Sequence, residues 1–214
     1  MSVAASRVVT LVDLDIQNIL SVENAFRTVG AEVRVVRHAA DIVEADLLVL
    51  PGVGSFGAAS ARLHGSGVAE AIRHHVRERG KPLLGLCLGM QLLADSSEEH
   101  GMHAGLGLIP GKVERLQEAP PEFRVPNVGW REVMLNQPVD EMLSAHVHGR
   151  SFYHVHSFHL RTDSTADTLA TSRFGPVHIA SIVRRGQVMG TQFHPEKSQE
   201  AGLDLLHAVL RRLR

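Results

Sequence analysis

The chain has 214 residues, 44% hydrophobic and 21% charged, with a formal net charge of -1 at neutral pH. That length and balance fit a single domain, residues 1–214, with a full core. The balanced charge leaves no electrostatic footprint for nucleic acid or an acidic membrane, and no apolar stretch approaches the roughly 20 residues that span a bilayer. The N-terminus lacks the charged-then-apolar pattern of a signal peptide, so a cytoplasmic setting is expected. A single cysteine excludes an internal disulfide and any cysteine-rich metal site.

Val8 to Val12 is an apolar run, and Ile19 to Val29 carries apolar residues at helical spacing up to Gly30. Glu32 to Val36 alternates like a strand, and Asp46 to Leu50 is a continuous apolar run ending at Pro51 and Gly52. Val68 to Arg79 reads as an amphipathic helix closed by Gly80, followed by a buried strand over Pro82 to Leu86. Strands alternating with helices at this spacing predict an α/β fold, a mostly parallel sheet with helices on both faces. Beyond Pro110 the pattern shortens to Val128–Leu135, Ser151–Val155, His178–Val183 and Gln187–Thr191, expected as antiparallel additions and edge strands on the same, now mixed, sheet. Gln117 to Pro126, with three prolines, reads as a surface loop, and Ala201 to Leu213 as a closing amphipathic helix.

Cys87 stands in Gly85-Leu86-Cys87-Leu88-Gly89, after an apolar strand and before the helical start Met90-Gln91-Leu92-Leu93. A nucleophile between glycines at a strand-to-helix turn matches the nucleophile elbow. The glycines let neighbouring backbones pass close to a sharply turned residue, exposing the sulfur. The helix N-terminus favours thiolate, and its free N–H groups can bind an oxyanion. The alternative is a small buried cysteine filling space beneath a tight turn.

His194 follows a strand in Gln192-Phe193-His194-Pro195-Glu196-Lys197-Ser198. A cysteine nucleophile needs a base, and the base an orienting acceptor; His194 and Glu196 can supply both, or the segment can be a polar cap for the last helix. A third loop, Pro51-Gly52-Val53-Gly54-Ser55, also follows an apolar strand. Loops at the carboxyl ends of parallel strands share one crevice, where this one could turn an N–H toward an oxyanion or bind phosphate.

Together these segments resemble the class I (triad) glutamine amidotransferases, with GLCLGMQLL and FHPEKS similar to the two signature segments of that family. Within it, NILSVENAF, LPGVGSFG, GLGLIPGKV, VPNVGW and FYHVHSF are most similar to the glutaminase subunits of imidazole glycerol phosphate synthases. The resemblance covers nearly the whole chain and implies a flavodoxin-like fold with no cofactor. It implies catalytic roles for Cys87, His194 and Glu196, and an oxyanion hole from Leu88 with Val53 or Gly54. L-glutamine would be held by Gly52, Gln91, Ser157 and Phe158. It also implies a heterodimer with a (β/α)8-barrel cyclase subunit, which uses the released ammonia to make imidazole glycerol phosphate and aminoimidazole carboxamide ribotide for histidine biosynthesis. Asn18, Trp130, Tyr153 and Lys197 match positions at that interface and ammonia gate, although Trp130 could equally be core.

Two departures lie on the partner side. The family's D-Y-G-x-G-N segment reads Asp13-Leu14-Asp15-Ile16-Gln17-Asn18, losing both glycines, and Asn127 replaces a usual histidine. The alternatives are a related glutaminase subunit feeding the amination of surface sugars, or a stand-alone cysteine hydrolase of the same fold. Fourteen histidines invite a metal hypothesis: His154 and His156 share a strand face, but no third ligand is evident from spacing, so no metal is expected. His74, His75, His100 and His103 read as solvated.

Overall fold

In the computed structural model, which describes residues 8–15, 19–42, 45–118, 122–136 and 141–212, the apolar runs become adjacent parallel strands. The elements begin with β1 (Val8–Val12), α1 (Ile19–Thr28), β2 (Glu32–Val36), β3 (Leu47–Gly52), α2 (Phe56–Gly65) and α3 (Val68–Arg77). Next come β4 (Leu83–Cys87), the single turn α4 (Leu88–Gln91), β5 (Ser96–Ser97), β6 (His103–Ala104), β7 (Gly111–Arg115) and β8 (Asn127–Leu135). The chain continues through α5 (Glu141–Val147), β9 (Arg150–His156), β10 (Phe158–Thr162), β11 (Thr168–Phe174), β12 (Val177–Arg185), β13 (Val188–Thr191) and α6 (Gln199–Arg212).

The main sheet has nine strands in the order β2-β1-β3-β4-β13-β12-β11-β8-β9. The first five run parallel, and the pairs from β13 through β9 are antiparallel. Alternation explains why β3 is apolar throughout. Leu48 and Leu50 face the core beneath α2 and α3, whereas Leu47 and Val49 face that beneath α1, α5 and α6. With both faces covered, each residue of such a strand is buried.

Several expectations need correction. The segment ending at Thr191 is no edge strand: β13 lies at the centre, parallel to β4 and antiparallel to β12. All four later segments do join the main sheet, as β8, β9, β12 and β13, while β10, β7, β5 and β6, which the pattern did not mark, form a second, four-stranded sheet. The described part of the Gln117–Pro126 stretch is a surface loop as read, with Phe123 and Val125 packed on Leu116, Phe174 and Ile179. His75 is not solvated: it is buried, with Nε2 3.1 Å from the Pro82 carbonyl. The helix after Cys87 is one turn long, ending before Leu92.

Candidate active site

Cys87 closes β4 with φ 53° and ψ -110° and begins α4 directly. A non-glycine residue with positive φ is strained, and the neighbours explain how the strain is held. A Cβ on Gly89 would overlap the Leu50 carbonyl oxygen, and one on Gly85 would come within 2.6 Å of the Gly89 oxygen. Only glycines let β3, β4 and the turn pack this closely. Because α4 is a single turn, positive potential at Cys87 comes from its free N–H groups rather than from a long helix dipole.

The sulfur is not on open surface. Cys87 is 6% exposed and lines a cavity of about 280 Å³ with Val53, Gly54, Leu88, Gln91, Ser157, Phe158 and His194. The Gln192 amide Nε2 lies 3.9 Å from Sγ, and the Val155 carbonyl 4.0 Å. Gln91 Nε2 donates to the Phe158 carbonyl at 2.8 Å and to Gln192 Oε1 at 3.1 Å.

His194 follows β13 at the carboxyl end of the parallel strands. Its N–H donates to the Tyr153 carbonyl at 2.9 Å, and its own carbonyl accepts from Ser198 Oγ at 2.6 Å. Its Nδ1 lies 2.7 Å from Glu196 Oε1, and both side chains are at most 5% exposed. Among the described residues Nε2 is buried and makes no hydrogen bond of good geometry, but it faces Cys87 across the cavity closely enough for the sulfur to act on its charge, and such contacts commonly tighten when substrate binds. Burial opposes charge on His194, but Cys87 and then Glu196 outweigh it and push its pKa up to about 10. An imidazolium at neutral pH beside a cysteine is a proton donor next to a nucleophile.

Gly52 and Glu196 border a smaller adjoining cavity that includes Lys197 and Val22. Gly52 pairs with Cys87 across β3 and β4. Trp130 and Tyr153 pair across β8 and β9, with ring centroids 6.1 Å apart. Trp130 is 44% exposed, beside exposed Val128, Met134 and Val155, so it is surface and not core. Asn18 lies outside the described residues. Among the described residues, no group of three His, Cys, Asp or Glu side chains is placed to hold a metal ion. No helix among them is long and apolar enough to cross a membrane.

Sequence reasoning missed Glu99, Gln192 and His156. Glu99 lines the cavity and accepts from the Phe56 N–H at 2.6 Å, capping α2. The Ser97-Glu98-Glu99 run is one of the segments that carry the family resemblance, but its spacing assigns Glu99 no role. The departure at Asp15 has a structural answer: it adopts φ 56°, as a glycine would, with its carboxylate 3.2 Å from Arg37 Nε and 3.8 Å from Arg62 Nη1. Aspartate tolerates this conformation better than most residues.

A model of the class-I glutamine amidotransferases matches residues 10–210. The chain is 39% identical over 207 residues to imidazole glycerol phosphate synthase subunit HisH 2 of Nitrobacter winogradskyi, covering 94% of this chain and 97% of that one. It is 42% identical over 211 residues to the chloroplastic imidazole glycerol phosphate synthase hisHF of Arabidopsis thaliana, covering 98% of this chain but 35% of that longer protein. The fold is similar to the PurLQS structure from Thermotoga maritima, with a TM-score of 0.75 at 20% identity, covering 98% of this chain and all of that one.

Proposed function

The chain belongs to the class-I glutamine amidotransferase family, and from that premise we propose that it hydrolyses glutamine and passes the ammonia to a cyclase subunit in histidine biosynthesis. One observation carries the chemistry: His194 Nδ1 is tied to Glu196 at 2.7 Å while the same ring faces the Cys87 cavity. Relatives about 40% identical over nearly the whole chain support the pathway.

The Cys87 sulfur attacks the side-chain carbonyl carbon of glutamine and forms a tetrahedral adduct. The Leu88 N–H and the Val53 or Gly54 N–H stabilise its oxyanion; losing one such donor costs about 10²–10³ in rate. His194 gives its proton to the leaving amine, the C–N bond breaks, and a thioester remains. His194, now neutral, takes a proton from water, which adds to the thioester and releases glutamate. Glu196 holds the imidazole orientation throughout. Gln91 and the Ser157–Phe158 backbone position the substrate, and the Glu99 carboxylate on the same cavity wall suits its α-ammonium group.

The patch of exposed Trp130 and Val155 with half-buried Tyr153 packed against Trp130 is the surface we assign to the barrel partner, with Lys197 at the ammonia exit. The Tyr153 carbonyl holds the His194 N–H at 2.9 Å, so docking there bears on the catalytic histidine through one hydrogen bond.

The test is glutamate release by the purified chain, alone and with the cyclase and its acceptor nucleotide, beside Cys87→Ala. Stimulation by the cyclase that the mutation abolishes supports the whole reading. Activity that survives the mutation removes Cys87 as nucleophile, and indifference to the cyclase removes the pathway.

A further inference from the structure

Ser157 lies where the chain leaves β9 in the main sheet for β10 in the smaller one, against the glutamine cavity. Neither ladder alone fixes its peptide planes, yet both carbonyls at the crossing are tied down. The Ser157 carbonyl accepts from the Leu116 N–H at 2.9 Å. The Phe158 carbonyl accepts from Gln91 at 2.8 Å, and His156 Nδ1 lies 2.9 Å away.

The chemistry at the two ends of this chain of contacts dictates its middle. A carbonyl only accepts, so His156 Nδ1 carries the proton and Nε2 of the neutral ring is bare. Asn127 Nδ2 lies 3.0 Å from that Nε2, and Asn127 Oδ1 accepts from Arg131 Nε at 2.9 Å. Arginine only donates, so the Asn127 amide has one orientation available. His154 Nδ1, 3.3 Å from the same Nε2, supplies a second donor. Donation therefore runs one way, Arg131 to Asn127 to His156 to the Phe158 carbonyl. Asn127 is fully buried, and the Arg131 guanidinium is anchored over Phe174 and Phe123 at 5.9 and 6.0 Å from their ring centroids.

We propose that His156 is a positioning residue for glutamine binding, held in its Nδ1–H tautomer by Asn127 and Arg131, so that this relay sets the Ser157–Phe158 wall of the substrate cavity. The proposal rests on the glutaminase reading above. His156 touches no reacting atom in this scheme, so its loss weakens substrate binding more than turnover. Asn127, which departs from the family's usual histidine, is the link that makes the tautomer unique: an amide whose oxygen is occupied by arginine can only donate onward.

The test compares His156→Leu with His156→Asn in the complex with the cyclase, measuring KM for glutamine and kcat. Asparagine can place an amide N–H near the position of Nδ1; leucine cannot. Loss of one buried hydrogen bond on the substrate wall predicts a KM about tenfold higher for His156→Leu, with kcat within about threefold, and recovery of most of that loss in His156→Asn. An unchanged KM in His156→Leu, an equal defect in both variants, or a fall in kcat alone overturns the proposal. Nitrogen-15 NMR of the wild-type imidazoles provides a readout that survives misfolded variants: His156 is expected as a neutral Nδ1–H ring, and an Nε2–H ring overturns the relay. A wild-type complex that releases no glutamate refutes the glutaminase reading instead, while the tautomer still decides the relay.

Discussion

Cys87 concentrates the cost of the site in one residue. Its φ of 53° is a conformation that a side chain with a Cβ adopts at a cost of roughly 1–3 kcal/mol, whereas glycine takes it freely. Alanine normally stabilises a chain relative to glycine, so the order should invert here: Cys87→Gly is expected to be more stable than Cys87→Ala by about 1 kcal/mol. Denaturant midpoints of the two variants check this, and equal midpoints mean the turn stores no strain. The partner residue offers a second test. Burial disfavours charge on His194, but Cys87 and Glu196 raise its pKa to about 10. Glu196→Gln removes the charge of one of the two supports and lets an amide NH2 face Nδ1, which favours the wrong imidazole tautomer. Its kcat is expected to fall by about 10²–10⁴, with the His194 titration moving down in NMR. A variant that keeps near-full turnover would remove Glu196 from the triad.

At the scale of elements, the exposed face of β8 and β9 carries Val128, Trp130, Met134 and Val155. Polar residues are the usual covering of such a face, and a clustered aromatic and aliphatic patch marks a protein interface. Trp130→Ala should leave stability within about 0.5 kcal/mol, because the ring is 44% exposed, while weakening cyclase binding tenfold or more. Calorimetric titration of the variant with the cyclase reads both affinity and folded fraction; undiminished affinity would move the docking surface elsewhere. The same face shows how far sequence reaches. Residues 128–135 and 151–155 alternate cleanly because one side is buried and the other is not, and both strands were legible. So were the parallel strands β1 to β4, with β1, β3 and β4 apolar runs and β2 an alternating one. The helix α2 was not: Phe56-Gly57-Ala58-Ala59-Ser60 has small residues and a glycine, and its buried Ser60 bonds the Ala104 carbonyl at 2.6 Å. The strand β11 hid for a related reason. Its inward Ser172 pairs with Ser181 at 2.7 Å in a buried contact, so polar letters occupy core positions. That Cys87, His194 and Glu196 meet at one cavity edge was legible because residue type and short spacing carry that signal. Glu99, Gln192 and His156 depend on contacts 43, 105 and 29 residues away in sequence, which no local pattern encodes.

At the scale of the molecule, the buried histidines link folding to pH. His75, His154, His156 and His159 all have lowered pKa values, chiefly because burial disfavours the charged ring; His156 falls to about 3 and His154 lies well below its ordinary value. His154 and His156 also face each other at 3.3 Å, so protonating one disfavours protonating the other. Such rings stay neutral in the folded chain but take up protons near pH 6.5 once it unfolds. Below that value the unfolded state binds more protons, so stability falls as pH drops below about 6.5, each ring adding a slope of up to about 1.4 kcal/mol per pH unit, and for His156 the fall continues toward about pH 3. His194 acts oppositely: with its pKa raised to about 10, its contribution is complete below pH 6.5 and is lost as pH rises toward 10. Taken together, these groups place the greatest stability near neutrality. His154→Phe isolates one of them. The ring is fully buried, its Nε2 has no partner among the described residues, and it lies edge-on to Phe193 at 5.7 Å, so a phenyl ring fits the surroundings and removes that nitrogen. Asn127 still donates to His156. At pH 7 removing the unsatisfied nitrogen, on the order of 1 kcal/mol, is offset by loss of the His154 Nδ1 donor to His156, so stability should change by less than about 1 kcal/mol. As pH falls below about 6.5 its stability should fall less steeply than the wild type, by up to about 1.4 kcal/mol per pH unit. Urea unfolding across that range measures both numbers, and an unchanged slope would mean that His154 is already protonated in the folded protein or equally neutral in both states.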